Sequence, residues 1–339
     1  MRKVTYKFSN SSVDYFLAGG ISHLKKIVDQ KNAIIITDEN VYDAHTKRFK
    51  GWNCIVLNPG EEYKVQSTVD AIIEQLIEME AERKTTLIGV GGGVITDITG
   101  YVASVYMRGI PFGFIPTTLL AMVDASIGGK NGIDAGVYKN MVGIIRQPKF
   151  ILHDMVFLNT LPQSEWENGF AEIIKHAAIK DAAMFHQLEN SSFKKYKGSK
   201  NAICDLVQRN AIIKTKVVKQ DEFEKGERRL LNFGHTLGHA LENQYELSHG
   251  RAISIGMTYA SVISEKITGF KEASRVTNLL LRYDLPTFAE FAKQKVFEVL
   301  KMDKKRERKE INYVMLERIG KGVVKPIEVK KLEDLISSI

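Results

Sequence analysis

The chain has few cysteines. There are two in 339 residues, Cys54 and Cys204, and neither belongs to a CxxC pair. This argues against a disulfide framework and against a thiolate zinc site. Long apolar runs are missing as well: none would span a bilayer, and Met1-Arg2-Lys3-Val4-Thr5-Tyr6 lacks the apolar core of a signal peptide. The expectation is a soluble, cytoplasmic protein with no membrane partner. Formal net charge is +8, yet the basic residues are dispersed. The densest group, Lys304-Lys305-Arg306-Glu307-Arg308-Lys309, is interrupted by a glutamate, and no nucleic-acid motif accompanies it. The excess suits a small polyanionic substrate better than nucleic acid.

The length suits two domains rather than one core. The first part alternates short apolar runs with helical spacing. Ala33–Asp38, Cys54–Leu57, Thr86–Val90, Phe112–Ile115 and Phe150–Leu152 read as strands. Val65, Val69, Ile72, Ile73, Leu76 and Ile77 recur at helical intervals between two of them. This is the grammar of an α/β parallel sheet. After Leu161-Pro162 strand signals become rare and helical stretches dominate, over 165–178, 203–218 and 252–267. The pattern predicts an α/β domain over 1–160 and a helical domain over 161–339, packed together around a cleft.

A glycine triplet, Gly91-Gly92-Gly93-Val94-Ile95-Thr96-Asp97, follows the Thr86–Val90 strand and precedes a helical pattern over 94–107. Glycine there lets backbone approach a pyrophosphate at a helix N-terminus. The spacing is not GxGxxG, and a tight turn satisfies the triplet equally well. Thr117 and Thr118 in Pro116-Thr117-Thr118-Leu119-Leu120 suit phosphate or ribose contact, or simple helix capping. Asp124-Ala125-Ser126-Ile127-Gly128-Gly129-Lys130-Asn131-Gly132, with Lys139-Asn140 close behind, suits a polyhydroxylated anion or a solvated loop. Lys214 and Arg228 flank a charged segment open to the same two readings.

Histidines carry the sharpest signal. In Asn232-Phe233-Gly234-His235-Thr236-Leu237-Gly238-His239, the two imidazoles share one face of a predicted helix. A loop carrying His249, in Ser248-His249-Gly250, can return to that face. Glu172 lies in an apolar helix, Phe170-Ala171-Glu172-Ile173-Ile174-Lys175-His176, and a buried carboxylate needs a partner. Glu172, His235 and His249 make a His2Glu set with positions left open, the pattern of a catalytic rather than a structural divalent metal. His239 faces the same cavity without binding the metal. A single isolated histidine is more often a hydrogen-bonded core or cap residue.

Taken in order, GGGVITD, YMRG (106–109), PTTLLAMVDASIGGK, KNMVG (139–143), AEIIKH, LLNFGHTLGH and HGRAISIGM resemble the 3-dehydroquinate synthase family, within the sugar phosphate cyclases. The resemblance is densest from Gly91 to Met257. It implies a Rossmann-like, parallel-sheet N-terminal nucleotide-binding domain and an all-helical C-terminal metal- and substrate-binding domain. It implies NAD and a divalent metal, zinc or cobalt, and conversion of 3-deoxy-D-arabino-heptulosonate 7-phosphate to 3-dehydroquinate and phosphate, a step of the shikimate pathway. Transient oxidation by NAD, phosphate elimination, reduction and an intramolecular aldol closure are the implied steps. Glu172, His235 and His249 are then the implied metal ligands. Asp38, Glu61, Lys64, Gly92, Gly93, Asp97, Thr117, Thr118, Leu120 and Lys139 are implied to line NAD. Asp124, Lys130, Asn140, Lys175, Lys214, Arg228, Asn232 and His239 are implied to hold the substrate. The same resemblance implies a homodimer, with Arg108 reaching into the neighbouring subunit's site, and a substrate contact from Lys304 or Lys305.

Three places depart from the family wording. Thr96 stands where glycine is usual, residues 131–138 differ, and Arg251 replaces a glutamate after the His-Gly pair. Related cyclases, such as 2-deoxy-scyllo-inosose synthase and valiolone-type synthases, share the scaffold and are the nearest alternatives. A metal-dependent dehydrogenase of the glycerol-dehydrogenase type would differ by releasing NADH. A non-catalytic binding protein on the same scaffold would need no intact His2Glu set.

Overall fold

A computed structural model describes residues 2–136, 138–245, 247–302 and 310–339, with side chains throughout except at 243 and 299–302. The chain divides into two compact units. One comprises Met1–Pro162 with Lys200–Glu222, the other Gln163–Ser199 with Phe223–Ile339.

In chain order the strands and helices begin β1 (Arg2–Lys7), β2 (Ser12–Leu17), β3 (Ala33–Asp38), α1 (Glu39–Phe49), β4 (Asn53–Leu57), α2 (Gln66–Glu78), β5 (Thr86–Gly91) and α3 (Gly93–Val105). They continue with β6 (Phe112–Pro116), β7 (Lys130–Ala135), β8 (Tyr138–Ile145), β9 (Phe150–Leu152), α4 (Gln163–Lys180), α5 (Ala182–Glu189), α6 (Phe193–Gly198) and α7 (Lys200–Gln220). The last are α8 (His235–Tyr245), α9 (His249–Thr268), α10 (Ala273–Arg282), α11 (Lys293–Met302), β10 (Glu310–Arg318), β11 (Lys321–Glu328) and α12 (Val329–Ser337).

The first unit is built on a sheet of order β1-β2-β9-β6-β5-β3-β4. Every pairing from β2 to β4 is parallel; β1 joins β2 antiparallel. All six residues of β3 are buried, as a strand covered on both faces requires. Helix α2 buries Val69, Ile72 and Leu76, the stripe its periodicity foretold. Helix α3 buries residues around most of its circumference because it packs against β5 on one side and β7 on another. Strands β7 and β8 form a separate antiparallel hairpin, and all eight residues of β8 are exposed. The outer strand β1 and the hairpin β7–β8 lack the buried apolar runs that mark β3, β5 and β6.

Helix α7 corrects the expected split near residue 160, which assigned everything beyond it to the second domain. The helix belongs to the first unit. Its Thr215 hydroxyl donates to the hydroxyl of Tyr15 at 3.0 Å, its Lys214 ammonium reaches Asp124, and it packs on the turn Ala121–Ala125.

In the second unit α4 and α9 are almost wholly buried, over 166–179 and 252–261 among other positions. Helix α8 lies along α9. This packing depends on glycine. A Cβ at Gly256 would collide with the carbonyl oxygen of Gly234, and one at Gly238 would meet the backbone of Ala252 and Ile253. The unit is largely rather than entirely helical, which corrects the all-helical expectation. Strands β10 and β11 pair antiparallel and pack against α9 and α4. In β10, Ile311 and the run Tyr313–Leu316 are buried, directly after the charged run 303–309 of the sequence. Among the described residues no helix is long and apolar enough to cross a membrane.

Candidate metal centre and nucleotide loop

Strand β5 ends at Gly91, and α3 starts two residues later with Gly92 as its N-cap. No side chain caps that end and its first turn carries no acidic residue. Its N–H groups and the positive end of its dipole are therefore offered to an anion. A Cβ at Gly92 would come within 3.1 Å of Thr118 Cγ2, and one at Gly93 within 3.3 Å of Ala125 Cβ; side chains there would fill the approach. Thr96 does not disturb this end, because its hydroxyl donates back to the Gly93 carbonyl at 3.0 Å. Thr117 is tied by its backbone N–H to the Gly91 carbonyl at 2.9 Å. Thr118 Oγ1 accepts from the Ala121 N–H at 3.1 Å, so it serves as a cap, with Leu120 just inside the turn it starts.

Around this loop the structure brings four of the implied site residues together. Lys64 is 4% exposed. Its ammonium donates to Asp97 Oδ2 and to Asn140 Oδ1, each at 2.6 Å, and lies 3.9 Å from Glu61 Oε1. Burial works against the Lys64 charge, but the carboxylates of Asp97 and Glu61 outweigh it and raise its pKa. Asn140 has φ +55° and its N–H donates to Asp134 Oδ1 at 2.6 Å. Asp38 closes β3 and caps α1 by accepting from the Val41 N–H at 3.0 Å; burial pushes its carboxyl up.

Asp124 lies in the turn Ala121–Ala125, where the Lys214 ammonium reaches its carbonyl at 2.6 Å and its Oδ1 at 2.9 Å. Lys130 and Lys139 are exposed on the β7–β8 hairpin. Arg108 is exposed on a turn with three successive positive φ angles, +48° at Met107, +66° at Arg108 and +115° at Gly109. The Arg146 guanidinium braces that turn by donating to the carbonyls of Ala103 and Ile110 at 2.8 and 2.9 Å.

The second unit gathers the histidines on Glu172. Glu172 is fully buried on α4. Its Oε1 lies 3.0 Å from His249 Nε2 and 3.5 Å from His235 Nε2. Lys175, one turn on, places its ammonium on Glu172 Oε2. His235 Nδ1 lies 3.2 Å from the Phe233 carbonyl, so that nitrogen is the donor. Burial, then the Lys175 charge, hold the His235 pKa well below its ordinary value. Its other nitrogen, Nε2, faces a carboxylate oxygen. A ring nitrogen and a carboxylate oxygen directed at each other in a buried site are an arrangement for a cation. Ligand atoms held at about 2.0–2.2 Å from zinc stand roughly 3.3–3.5 Å apart, close to the separations found. Glu172, His235 and His249 fit a divalent metal.

His249 differs from His235. Burial disfavours its charge, but hydrogen bonds to the carboxylates of Glu172 and Glu242 outweigh this and push its pKa up to about 9. It is the first residue of α9, not a loop residue as its spacing suggested. His239 is exposed, with its ring 5.0 Å from that of His235 and 6.3 Å from that of His249. Arg228 and Asn232 occupy the turn Glu227–Asn232, where Arg228 is buried and Asn232 donates to Glu224 Oε1 at 2.9 Å. Lys304 and Lys305 lie outside the described residues.

Several supporting residues escaped the sequence reading. Glu242 holds His249 from behind at 3.3 Å. Asn168 accepts from the Gly250 N–H at 2.9 Å. Arg251, the departure beside His249, pairs with Glu167 at 3.5 Å. Glu242 was readable in principle: it stands two helical turns after His235, on the same face.

Comparison with known proteins agrees with this geometry. Residues 54–168 match the family described as 3-dehydroquinate synthase N-terminal, and residues 169–306 match 3-dehydroquinate synthase C-terminal. A 3-dehydroquinate synthase of Campylobacter concisus (strain 13826) is 38% identical over 331 residues, 94% of each chain. A solved 2-epi-5-epi-valiolone synthase from Streptomyces hygroscopicus subsp. jinggangensis 5008, with NAD+ and Zn2+ bound, superposes with a TM-score of 0.87 at 26% identity, over 100% of this chain and 99% of that one. A 2-deoxy-scyllo-inosose synthase complexed with carbaglucose-6-phosphate, NAD+ and Co2+ shares the fold, with a TM-score of 0.86 at 24% identity and 99% of each chain covered. Matched along nearly its whole length by sequence, and with a buried Glu172 facing His235 and His249, the chain belongs to the 3-dehydroquinate synthase family of enzymes.

Proposed function

We propose that the chain converts 3-deoxy-D-arabino-heptulosonate 7-phosphate to 3-dehydroquinate and phosphate, using NAD without consuming it and a divalent cation, zinc or cobalt. The observation that carries this reading is the Glu172–His235–His249 set, drawn from three helices, with the Nε2 atoms of both rings within 3.5 Å of one buried carboxylate oxygen. NAD when bound would take up and return a hydride at a substrate carbinol, and the metal would lower the pKa of the hydroxyls it holds.

The chain's own residues do the rest. The uncapped end of α3 takes the pyrophosphate of the dinucleotide. Lys214, with its ammonium fixed by Asp124, and Arg228 offer cationic donors to the carboxylate and phosphate of the substrate. Lys175, Asn232, Lys130 and Asn140 add donors that hold the polyanion in one conformation. His239 is exposed beside the metal set, where it can pass a proton from its ring nitrogen to solvent.

We further propose a homodimer. Strand β8 presents Tyr138, Met141, Val142, Ile144 and Ile145 to solvent, and the Arg108 turn adds Val105 and Met107. An exposed apolar strand edge is a liability that a second copy of the same strand would remove. Sedimentation equilibrium of the wild-type protein and of Met141→Asp tests this: a wild-type dimer and a variant monomer are expected, and a wild-type monomer would sink the proposal.

The activity is tested by incubating purified protein with the substrate, catalytic NAD and zinc or cobalt, while following phosphate, dehydroquinate and absorbance from NADH. Release of both products without accumulating NADH is expected. Accumulating NADH would point instead to a net dehydrogenase. No turnover, with NAD and metal bound, would move the reading to another sugar phosphate cyclase, with glucose 6-phosphate and sedoheptulose 7-phosphate tried next.

A further inference from the structure

We propose that Glu242 is a positioning residue for the metal centre: it fixes the His249 ring so that Nε2, and not Nδ1, is presented to the cation. The inference rests on the reading that Glu172, His235 and His249 hold a divalent metal. Helix α8 carries His235, His239 and Glu242 at i, i+4 and i+7, so one face supplies a ligand, a further imidazole and a carboxylate. Glu242 Oε2 lies 3.3 Å from His249 Nδ1, while His249 Nε2 lies 3.0 Å from Glu172 Oε1. A carboxylate only accepts, so Glu242 keeps a proton on Nδ1, and Nε2, on the Glu172 side, is the nitrogen a cation would take in place of the proton donated there.

His235 shows the same device with a different acceptor. Its Nδ1 is held at 3.2 Å by the Phe233 carbonyl, and its Nε2 faces Glu172. Both imidazoles are thus locked with the same nitrogen inward, one by a neutral carbonyl and one by a charge. The carboxylate also makes the His249 ring the more electron-rich donor. Because Glu242 stands on α8 and His249 opens α9, their bond additionally joins the two helices across residues 246–248.

Glu242 has one rival role. Ligating atoms of His239, Glu242 and His249 also lie within 4.8 Å of one another, so Glu242 could itself be a ligand. That set would turn the Nδ1 of His249 to the metal and would rely on an exposed imidazole, whereas the Glu172 set has a fully buried carboxylate and uses Nε2 from both rings.

The test uses full-length, metal-free protein and cobalt(II) alone as the probe. Dissociation constants come from competition with a chromophoric chelator, and the visible absorption of the cobalt form is recorded. Wild type, Glu242→Gln, Glu242→Ala, Glu172→Ala, His249→Ala and the double variant His249→Ala/Glu242→Ala are compared. Glu242→Ala is expected to weaken cobalt binding about 10- to 100-fold and shift the absorption bands. Glu242→Gln should lose less, because its amide oxygen still accepts from Nδ1–H. In the His249→Ala background the second substitution should cost nothing further, because Glu242 acts only through that ring. A purely structural role would instead give the same loss in both backgrounds and overturn the proposal. Wild-type affinity in Glu242→Ala would overturn it too. Loss beyond a thousandfold, with Glu172→Ala tolerated, would make Glu242 a ligand. Wild-type protein that binds no cobalt would sink the metal-site reading itself, and that result is visible before any variant is measured.

Discussion

Asn168 grips Gly250: its side-chain oxygen accepts from the Gly250 backbone nitrogen at 2.9 Å, while its amide donates to Glu165 Oε1 at 3.1 Å. One turn further along α4 stands Glu172, and immediately before Gly250 stands His249. The bond therefore joins α4 to the first turn of α9 next to the shortest contact of the metal set. A Cβ on Gly250 would press into the Asn168 backbone, so glycine is what lets the two helices meet there. Asn168→Ala leaves a buried N–H unpaired and is expected to cost about 1–3 kcal/mol. It should also weaken cobalt binding although no ligand has been removed. Asn168→Asp keeps the acceptor for the Gly250 N–H but sets its other oxygen against the Glu165 carboxylate, so it should recover only part of the affinity. Chemical denaturation and cobalt titration check both effects. An alanine variant with wild-type cobalt affinity would show that the spacing is set elsewhere.

Gly256 makes a sharper demand on the same unit. Its Cα lies against the Gly234 carbonyl, with Gly238 close by, so that α8 and α9 touch backbone to backbone. This contact brings His235 and His239 up to His249. Gly256→Ala forces the helices apart and should destabilise the protein by about 1–3 kcal/mol, as overpacking does. Because the collision is with backbone rather than a movable side chain, a nearby substitution such as Met257→Ala should not rescue it. Thermal denaturation of the single and double variants decides the matter, and a stable Gly256→Ala protein would show that α8 shifts at little cost.

Lys64 ties helix α3, just after its glycine turn, to the β7–β8 hairpin through Asp97 and Asn140. Lys64→Met removes the ammonium and leaves the Asp97 carboxylate without its main partner. Breaking a fully buried pair costs about 3–5 kcal/mol. Asp97 retains 19% exposure, so on the order of 2 kcal/mol is expected here after allowing for solvent. NAD binding should weaken as well, because the loop loses the contact that fixes Asp97 beside the α3 end. Titration of intrinsic fluorescence with NAD, run beside denaturation, separates the two effects. NAD affinity equal to wild type in a destabilised variant would confine Lys64 to a structural role.

How far these features were legible differs by element. The buried strands β3, β5 and β6 announce themselves as apolar runs. The chemistry around His235, His239 and Glu172 could be read because helical spacing and a carboxylate in an apolar helix are local signals. Helix α7 could not be assigned to its unit, since its anchors, Tyr15 for Thr215 and Asp124 for Lys214, are 200 and 90 residues away in sequence. Asn168 was silent: a polar residue that holds a backbone N–H looks like any surface position until the partner helix is in place. The hairpin β7–β8 stayed hidden for the opposite reason. Its second strand is apolar yet exposed, so no alternation of inside and outside marks it.

His153 ties stability to pH in the first unit. The ring is fully buried; Nε2 lies 3.0 Å from the Met122 carbonyl, to which it donates, and Nδ1 has no hydrogen-bond partner among the described residues. Burial, only partly offset by the Met122 bond, lowers its pKa from 6.5 to about 4. As pH falls the unfolded chain takes up the proton first. The stability contributed by the neutral ring is therefore complete above about pH 6.5 and is lost progressively down to about pH 4. At 1.36 kcal/mol per pKa unit the loss is about 3 kcal/mol over that window. His153→Gln keeps an N–H donor for Met122 but does not titrate. It should be less stable than wild type at pH 7.5, because it fits the ring's space poorly, yet its stability should fall less steeply between pH 6.5 and 4. Urea denaturation at half-unit pH steps, comparing the two slopes, measures the His153 contribution free of the carboxylates common to both proteins. Parallel curves would mean that the native state admits the proton by opening around β9 and the turn Ala121–Ala125, and that burial of this ring is not what limits stability in acid.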